Sequence, residues 1–249
     1  MFRLILTICI ILSTLQAQPL HQRLVLDHVN IAVKDLPTAV SFFEDTLGFA
    51  IKPGRLHKNS IDNAHVKFKD GSSLEFITAS EPRDTLRITD TGAVDLLLNM
   101  FPLIKSDVGY ADIYTFAPDD SRYPLFFIRY KKPVKDDPKY LYHWNGAERL
   151  AGITVCKNWW EEQLSMIGPQ KVSDLSGLAE KRLSFNGAGS ILLMPQRSVN
   201  KECKINPIIG ITIHVNDLAK TEKYLKQRGI ENLTLEYGTV FIRFLNEPR

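Results

Sequence analysis

The side chains able to do chemistry gather in the first third of the chain. His28 lies in LDHVNIAV, Arg55, His57 and Asn63 in GRLHKNSIDN, and Glu75 in SLEFIT. Glu75 stands between Leu74 and Phe76 on an alternating segment, and a carboxylate facing a sheet interior must be paired or bound. His57 lies in a polar loop, where a solvated imidazole is the ordinary outcome. Arg55 and Arg129 are candidate anion binders, because a guanidinium grips a carboxylate through two parallel hydrogen bonds. Arg129 interrupts the apolar run Leu125 to Tyr130, so its charged head needs a partner. If either arginine faces a cleft, the ligand is acidic. His143 follows Tyr140 and Tyr142 and could simply pack beside Trp144, while His65 and His214 read as structural strand residues. The pair Trp159-Trp160 reads as core packing. No Ser-His-Asp order, phosphate loop or dinucleotide fingerprint is present; Gly187-Ala188-Gly189 is a turn with no helix directly after it.

The elements that must position these groups recur. Leu26 to Val33 alternates as a strand. Asp35 is a helix N-cap, Pro37 sits in the first turn, and Leu36, Ala39, Val40, Phe43 and Leu47 form an apolar helical stripe closed by Gly48. Ala64 to Lys69 and Ser73 to Thr78 then read as a hairpin around Asp70-Gly71. The same order returns near the C-terminus: strand Ile208 to Val215, cap Asp217, helix Leu218 to Arg228, Gly229, and a hairpin from Leu233 to Leu245. A third copy has strand Leu150 to Val155, a capping box at Asn158 and Glu161, a helix ending at Gly168, and a hairpin over Arg182 to Met194. A degraded second copy is expected between Asp84 and Lys132, with Ala93 to Ile104 as its helix and strands at Gly109 to Phe116 and Leu125 to Tyr130. Lys131 to Pro138, charged and carrying two prolines, reads as a linker. The expected fold is therefore α+β: repeated β-α-β-β-β modules forming curved, cleft-bearing mixed sheets with helices outside. One half covers 24–133 and the other 140–249. Neighbouring modules must bury one another's apolar faces, and four copies allow two closed pairs within one chain. The alternative is a homodimer made by exchanging modules.

The 249 residues are 44% apolar and 24% charged, with a net charge of +3. Charges of both signs are mixed, without a basic patch interleaved with aromatics, so a nucleic-acid partner is not indicated. Arg3, the apolar run Leu4 to Leu12 and Ala17 read as a signal peptide over residues 1–17. The run is too short to cross a bilayer, so export without stable membrane insertion is expected. Cys156 and Cys203 would remain after cleavage; they could pair in an oxidising compartment, but two buried free thiols are the preferred reading.

The module order, with LDHVNIAVKDLPTAVSFFEDTLGF, resembles the vicinal oxygen chelate superfamily and, more narrowly, its glyoxalase-like domain proteins. Leu26-Asp27-His28, the group Arg55, His57 and Asn63, Leu74-Glu75-Phe76, and His143-Trp144-Asn145-Gly146-Ala147 carry the likeness. The resemblance implies a cleft that binds a small oxygen-rich organic ligand. It also implies a divalent metal (zinc, manganese, iron or nickel) on His28 and Glu75, with His143 as a further ligand. Glu75 and His57 would then move protons, and Arg55, Asn63, Arg129 and Asn145 would contact substrate. Lyase, isomerase and dioxygenase chemistry would all fit. The position of His28 is expected to be Leu150 in the third module and Gly210 in the fourth, and that of Glu75 to be Leu193 and Ile242. None of these binds metal, which keeps a metal-free binding protein of the same fold as the alternative.

Overall fold

The structure, a computed structural model, describes residues 24–55, 62–78, 85–90, 103–116, 125–156, 171–173, 180–185, 189–194, 208–238 and 240–246. Two mixed sheets carry the fold. In the first, β1 (Leu24–Val33), β2 (Lys52–Pro53), β3 (Asn63–Lys67) and β4 (Ser73–Thr78) are followed by β5 (Thr85–Asp90), β6 (Leu103–Asp107), β7 (Ala111–Phe116) and β8 (Leu125–Tyr130). Their spatial order is β2-β3-β4-β1-β5-β8-β7-β6. The second sheet contains β9 (Ala147–Cys156), β10 (Lys171–Ser173), β11 (Glu180–Ser184), β12 (Ser190–Met194), β13 (Ile208–Val215), β14 (Thr234–Tyr237) and β15 (Val240–Leu245). Its order is β10-β11-β12-β9-β13-β15-β14.

Each sheet is two modules joined back to back within the chain. β1 is parallel to β4 and antiparallel to β5, and β5 is parallel to β8. The second sheet repeats this with β9 parallel to β12, antiparallel to β13, and β13 parallel to β15. Parallel partners need a crossover. In the first module it is α1 (Leu36–Ser41), which runs on into a π-helical turn over Phe42–Thr46. In the fourth it is α2 (Leu218–Lys226). Asp35 and Asp217 cap these helices by accepting from the backbone N–H of Thr38 and Lys220. Gly48 and Gly229 take positive φ just beyond them, a conformation that favours glycine.

The second module departs from expectation. Leu103 and Ile104 open strand β6 rather than end a helix; the rest of the expected Ala93 to Ile104 helix lies outside the described residues. The cause is the turn that follows. Gly109 adopts φ +84°, and the Asp107 carboxylate accepts its N–H at 2.7 Å. That hairpin pairs β6 with β7, and ladder formation overrides the apolar spacing. Strand β5, unassigned in the sequence, is the central partner of β1.

The two sheets meet through their helix-bearing faces in one apolar cluster. Phe43 packs on Phe76 and Tyr237, and Phe49 stacks on Phe244 at 6.1 Å between centroids. Asn145, 0% exposed, fastens the seam: its Nδ2 donates to the Leu47 carbonyl, its Oδ1 accepts from Ala147 N–H, and its own carbonyl accepts from Thr221 Oγ1. Cys156 is fully buried and disulfide-bonded, which corrects the free-thiol reading; Cys9 and Cys203 lie outside the described residues, as do 1–23, Trp159 and Trp160.

Asn145→Ala leaves two buried backbone groups without partners. It is expected to lower the unfolding free energy by about 1–3 kcal/mol for each group. Trp144→Ala, at a side chain 77% exposed, is expected to change it by no more than about 0.5 kcal/mol. Urea unfolding of the two variants beside the parent checks both.

Candidate functional site: a polar cleft on the first module

The site begins with an irregularity in β1. Leu24 and Leu26 face the core, and so do Val29, Ile31 and Val33. The phase skips once because the β1–β5 register shifts between Leu26 and His28. Asp27 is thus the extra residue of a β-bulge, a feature that re-aims side chains. Two successive side chains, Asp27 and His28, turn away from the core together. His28 Nδ1 sits 2.7 Å from Asp27 Oδ1. A carboxylate only accepts, so Nδ1 carries the proton and Nε2 is directed elsewhere. The Tyr130 hydroxyl, from β8, donates to the same carboxylate at 3.0 Å.

Beside it, β4 presents Glu75, which pairs with Asn30 of β1 and with His65 of β3. Glu75 Oε2 is 3.2 Å from His28 Nε2; with the proton on Nδ1 both atoms are acceptors, and Nε2 is buried without a hydrogen bond. His28 and Glu75 are 5% and 8% exposed. Asn63 fixes the other carboxylate oxygen: its Nδ2 donates to Glu75 Oε1 at 2.8 Å and lies 3.2 Å from His65 Nε2. Its Oδ1 accepts the Arg55 backbone N–H at 2.9 Å. With donors and acceptor engaged, Asn63 positions Glu75. Burial holds the His65 imidazole down at about 4, against the opposing pull of Glu75. The buried Oδ1 of Asn30 has no hydrogen-bond partner.

These residues open onto a cavity of about 520 Å³ that is also lined by Lys52, Arg55, Lys67, Tyr110, Tyr130 and Val134. Val134 belongs to the segment between the sheets, which an ion pair between Lys52 and Asp136 ties to β2. The structure therefore brings together His28, Glu75, Asn63 and Arg55. Of the other expected site residues, Arg129, His143 and Asn145 lie apart. Arg129 is on the opposite face of β8 from Tyr130, over the Tyr114 ring at 6.0 Å and across the ladder from Asp112. His143 uses both ring nitrogens on backbone, Nδ1 accepting from Ala50 N–H at 3.0 Å and Nε2 donating to the Lys67 carbonyl at 2.9 Å. Neither nitrogen is left for a metal, and Asn145 is spent on the seam. His57 lies outside the described residues.

The bulges also re-register the later modules. β9 skips phase at Ala151-Gly152 and β13 at Ile209-Gly210, each opposite a register shift. Aligned on the bulge, His28 corresponds to Gly152 rather than Leu150, and to Gly210. Two residues on, Thr154 and Thr212 pair with Leu192 and Arg243, so these, rather than Leu193 and Ile242, stand where Glu75 does. Leu193 and Ile242 face the core, one step out of phase. A Cβ at Gly152 would come 2.7 Å from the Ser190 carbonyl oxygen, and one at Gly210 would enter the Phe241 ring.

The donor chemistry of the first module fits a divalent metal at two corners. A ligating His ordinarily donates its other N–H to a carboxylate, as His28 does to Asp27. His28 and Glu75 supply one nitrogen and one oxygen of a two-His-one-carboxylate set. Among the described residues no group of three His, Cys, Asp or Glu stands ready as a complete ligand set.

Residues 26–95 match the glyoxalase-like domain family. The whole chain is similar to the homoprotocatechuate 2,3-dioxygenase of Arthrobacter globiformis, with 12% identity and TM-score 0.61 over 93% of this chain and 82% of that one. It is similar also to a hypothetical protein from Staphylococcus aureus (12%, TM-score 0.60, 90% and 100% covered). A halotolerant catechol dioxygenase is a third structural relative (9%, TM-score 0.58, 90% and 87%). No curated protein matches the sequence. The fold is that of the vicinal oxygen chelate superfamily. The first module coincides with the stretch that is similar to the glyoxalase-like domain family.

The buried His143 imidazole is held down at about 4 by desolvation, against the bond to Lys67. A second proton would have to go on Nδ1, where it would meet the Ala50 N–H. The folded value lies below the ordinary 6.5. This contribution is therefore present above pH 6.5 and is lost as the pH falls from there toward 4. Chemical denaturation at stepped pH is expected to show a shallower loss over that window in His143→Asn than in the parent.

Proposed function

We propose that the cleft of the first module binds a small, oxygen-rich organic molecule for metal-assisted chemistry of the lyase, isomerase or dioxygenase kind. The observation that carries this reading is the buried His28–Glu75 pair. Each member is oriented by its own partner, Asp27 and Asn63, and both face the same cavity. Such support fixes reacting groups within the tolerance that catalysis requires.

His28 and Glu75 would hold the metal, which supplies Lewis acidity toward two adjacent ligand oxygens. Asn63 keeps Glu75 Oε1 in place, leaving Oε2 as the ligand atom where metal is bound and as the proton acceptor where it is not. Asp27 keeps the His28 proton on Nδ1 and its lone pair on Nε2. His65, neutral by burial, adds a polar wall without charge. Lys52 and Arg55 stand at the cavity and make its rim cationic.

A second reading has its own support. Gly152, Gly210, Leu192 and Arg243 occupy the counterpart positions in the third and fourth modules, and none of them is a metal ligand. On that reading the same cleft sequesters its ligand without metal. Metal analysis of the purified protein separates the two. About one transition metal per chain, lost in a His28→Ala/Glu75→Ala variant that still folds, is the expected result. A parent protein that takes up no metal even on reconstitution would leave the metal-free reading standing.

We also propose that the chain is exported. The disulfide at Cys156 supports this, since such bonds persist in oxidising compartments, as does the apolar N-terminal run. Intact-mass measurement of the protein from the exported fraction should show a chain that starts at Gln18; a full-length mass there would contradict it.

A further inference from the structure

Three cationic side chains line the first-module cleft: Lys52, Arg55 and Lys67. Arg55 carries a guanidinium, which keeps its proton in proteins. Lys52 is held as an ion by Asp136. Lys67 stands differently. No carboxylate among the described residues lies within ion-pair distance of it, and its Nζ donates to Ser73 Oγ at 3.2 Å. Ser73 is only 1% exposed, so this anchor is shielded from water. Burial is the largest influence on the Lys67 amine and lowers its pKa; Lys52 pushes the same way, while Asp136, Asp27 and Glu75 pull against them. A lysine in that setting gives up its proton more readily than an exposed one, and the neutral amine is a nucleophile.

The β3–β4 ladder sets a proton carrier beside it. Lys67 pairs with Ser73, and Glu75 stands two residues further along β4 on the same face. Diagonal neighbours of this kind are about 7–8 Å apart, within reach of a long side chain. The same cavity holds two buried ring nitrogens without hydrogen-bond partners, His28 Nε2 and His65 Nδ1. An amine on one side and unpartnered polar nitrogens on the other suit a molecule with a carbonyl group and neighbouring hydroxyls.

We propose that Lys67 Nζ forms an imine with a small hydroxylated aldehyde or ketone bound in the cleft. The proposal rests on the small-molecule reading above and adds to it a covalent activity that requires no metal. The nitrogen lone pair makes the new bond to the carbonyl carbon as the carbonyl π pair moves to oxygen. Both amine hydrogens pass to that oxygen as protons, with Glu75 placed to carry them, and it leaves as water when the carbon–nitrogen double bond closes. Nothing is oxidised or reduced.

Dihydroxyacetone is the probe. The purified protein is incubated with it and cyanoborohydride, which reduces an imine to a stable secondary amine, and adducts are located over time by peptide mass mapping. Lys67 is expected to be labelled roughly tenfold or more faster than the exposed Lys132 and Lys220, a modest gain for a positioned reaction. Accessibility alone predicts the reverse order. The rate at Lys67 should also saturate with probe concentration and fall in His28→Ala, once circular dichroism shows that variant folded. Binding apart from the covalent step is read by saturation-transfer NMR of the probe, without reductant, on Lys67→Arg. A Lys67 labelled no faster than the exposed lysines, with the NMR signal present, would overturn the imine and leave the cleft reading intact. Neither labelling nor an NMR signal would overturn both.

Discussion

One extra residue in a strand holds the site together. In a regular β1, Asp27 and His28 would point to opposite faces, and one of them would enter the core beside Leu26 and Val29. The bulge at Asp27 sends both to the cleft side and allows the 2.7 Å contact between them. The rest of the arrangement follows from that contact. With Asp27 accepting from both His28 and Tyr130, the imidazole cannot rotate freely, and its Nε2 is committed to the space shared with Glu75. Asn63 performs the same service for Glu75 from the neighbouring strand. A buried polar chain of this kind is stable only if its members are satisfied. The unspent atoms that line the cavity, His28 Nε2 and His65 Nδ1, are therefore where a ligand or metal has most to offer.

Rigidity comes from the opposite face. Both helices lie in the seam between the sheets, and the aromatic stack from Phe76 through Phe43 to Tyr237 joins the first module to the fourth. The segment resembling a family motif, His143 to Ala147, belongs to this seam rather than to the cleft. His143 links Ala50 to Lys67, and Asn145 links Leu47 to Ala147 and Thr221. Its polar side chains satisfy backbone groups that the packing of two halves would otherwise strand. His143 nonetheless reaches the cleft indirectly, since the carbonyl it binds is that of Lys67.

The duplicated fold is used unequally. All three modules with a described bulge turn the same two positions away from the central apolar cluster, yet only the first fills them with Asp and His. The other two carry Ala151-Gly152 and Ile209-Gly210, with Ser190 and Phe241 crowding the glycines. The second sheet thus contributes core and seam, while polar chemistry is concentrated on the first, next to a linker whose Asp136 is drawn to Lys52.

Strand and helix periodicity, the Asp35 and Asp217 caps and the left-handed glycines are local properties, and the sequence by itself determined them, together with the modular repeat and the candidacy of His28 and Glu75. The strand at Leu103–Asp107 was not legible, because an apolar run too short to show its period was decided by a hairpin whose turn lies beyond it. The phase skips were present in LDHV, LAGI and IIGI, but a bulge becomes visible only when a partner strand shows the register shift. Which polar residues share a cavity was decided by tertiary structure alone. Lys52, Lys67, Tyr110 and Tyr130 come from separate strands and a turn, and Arg129 differs from Tyr130 by one residue yet faces the other way. A side chain's type and period are written along one strand; its neighbours depend on how the strands pair, which no single strand encodes.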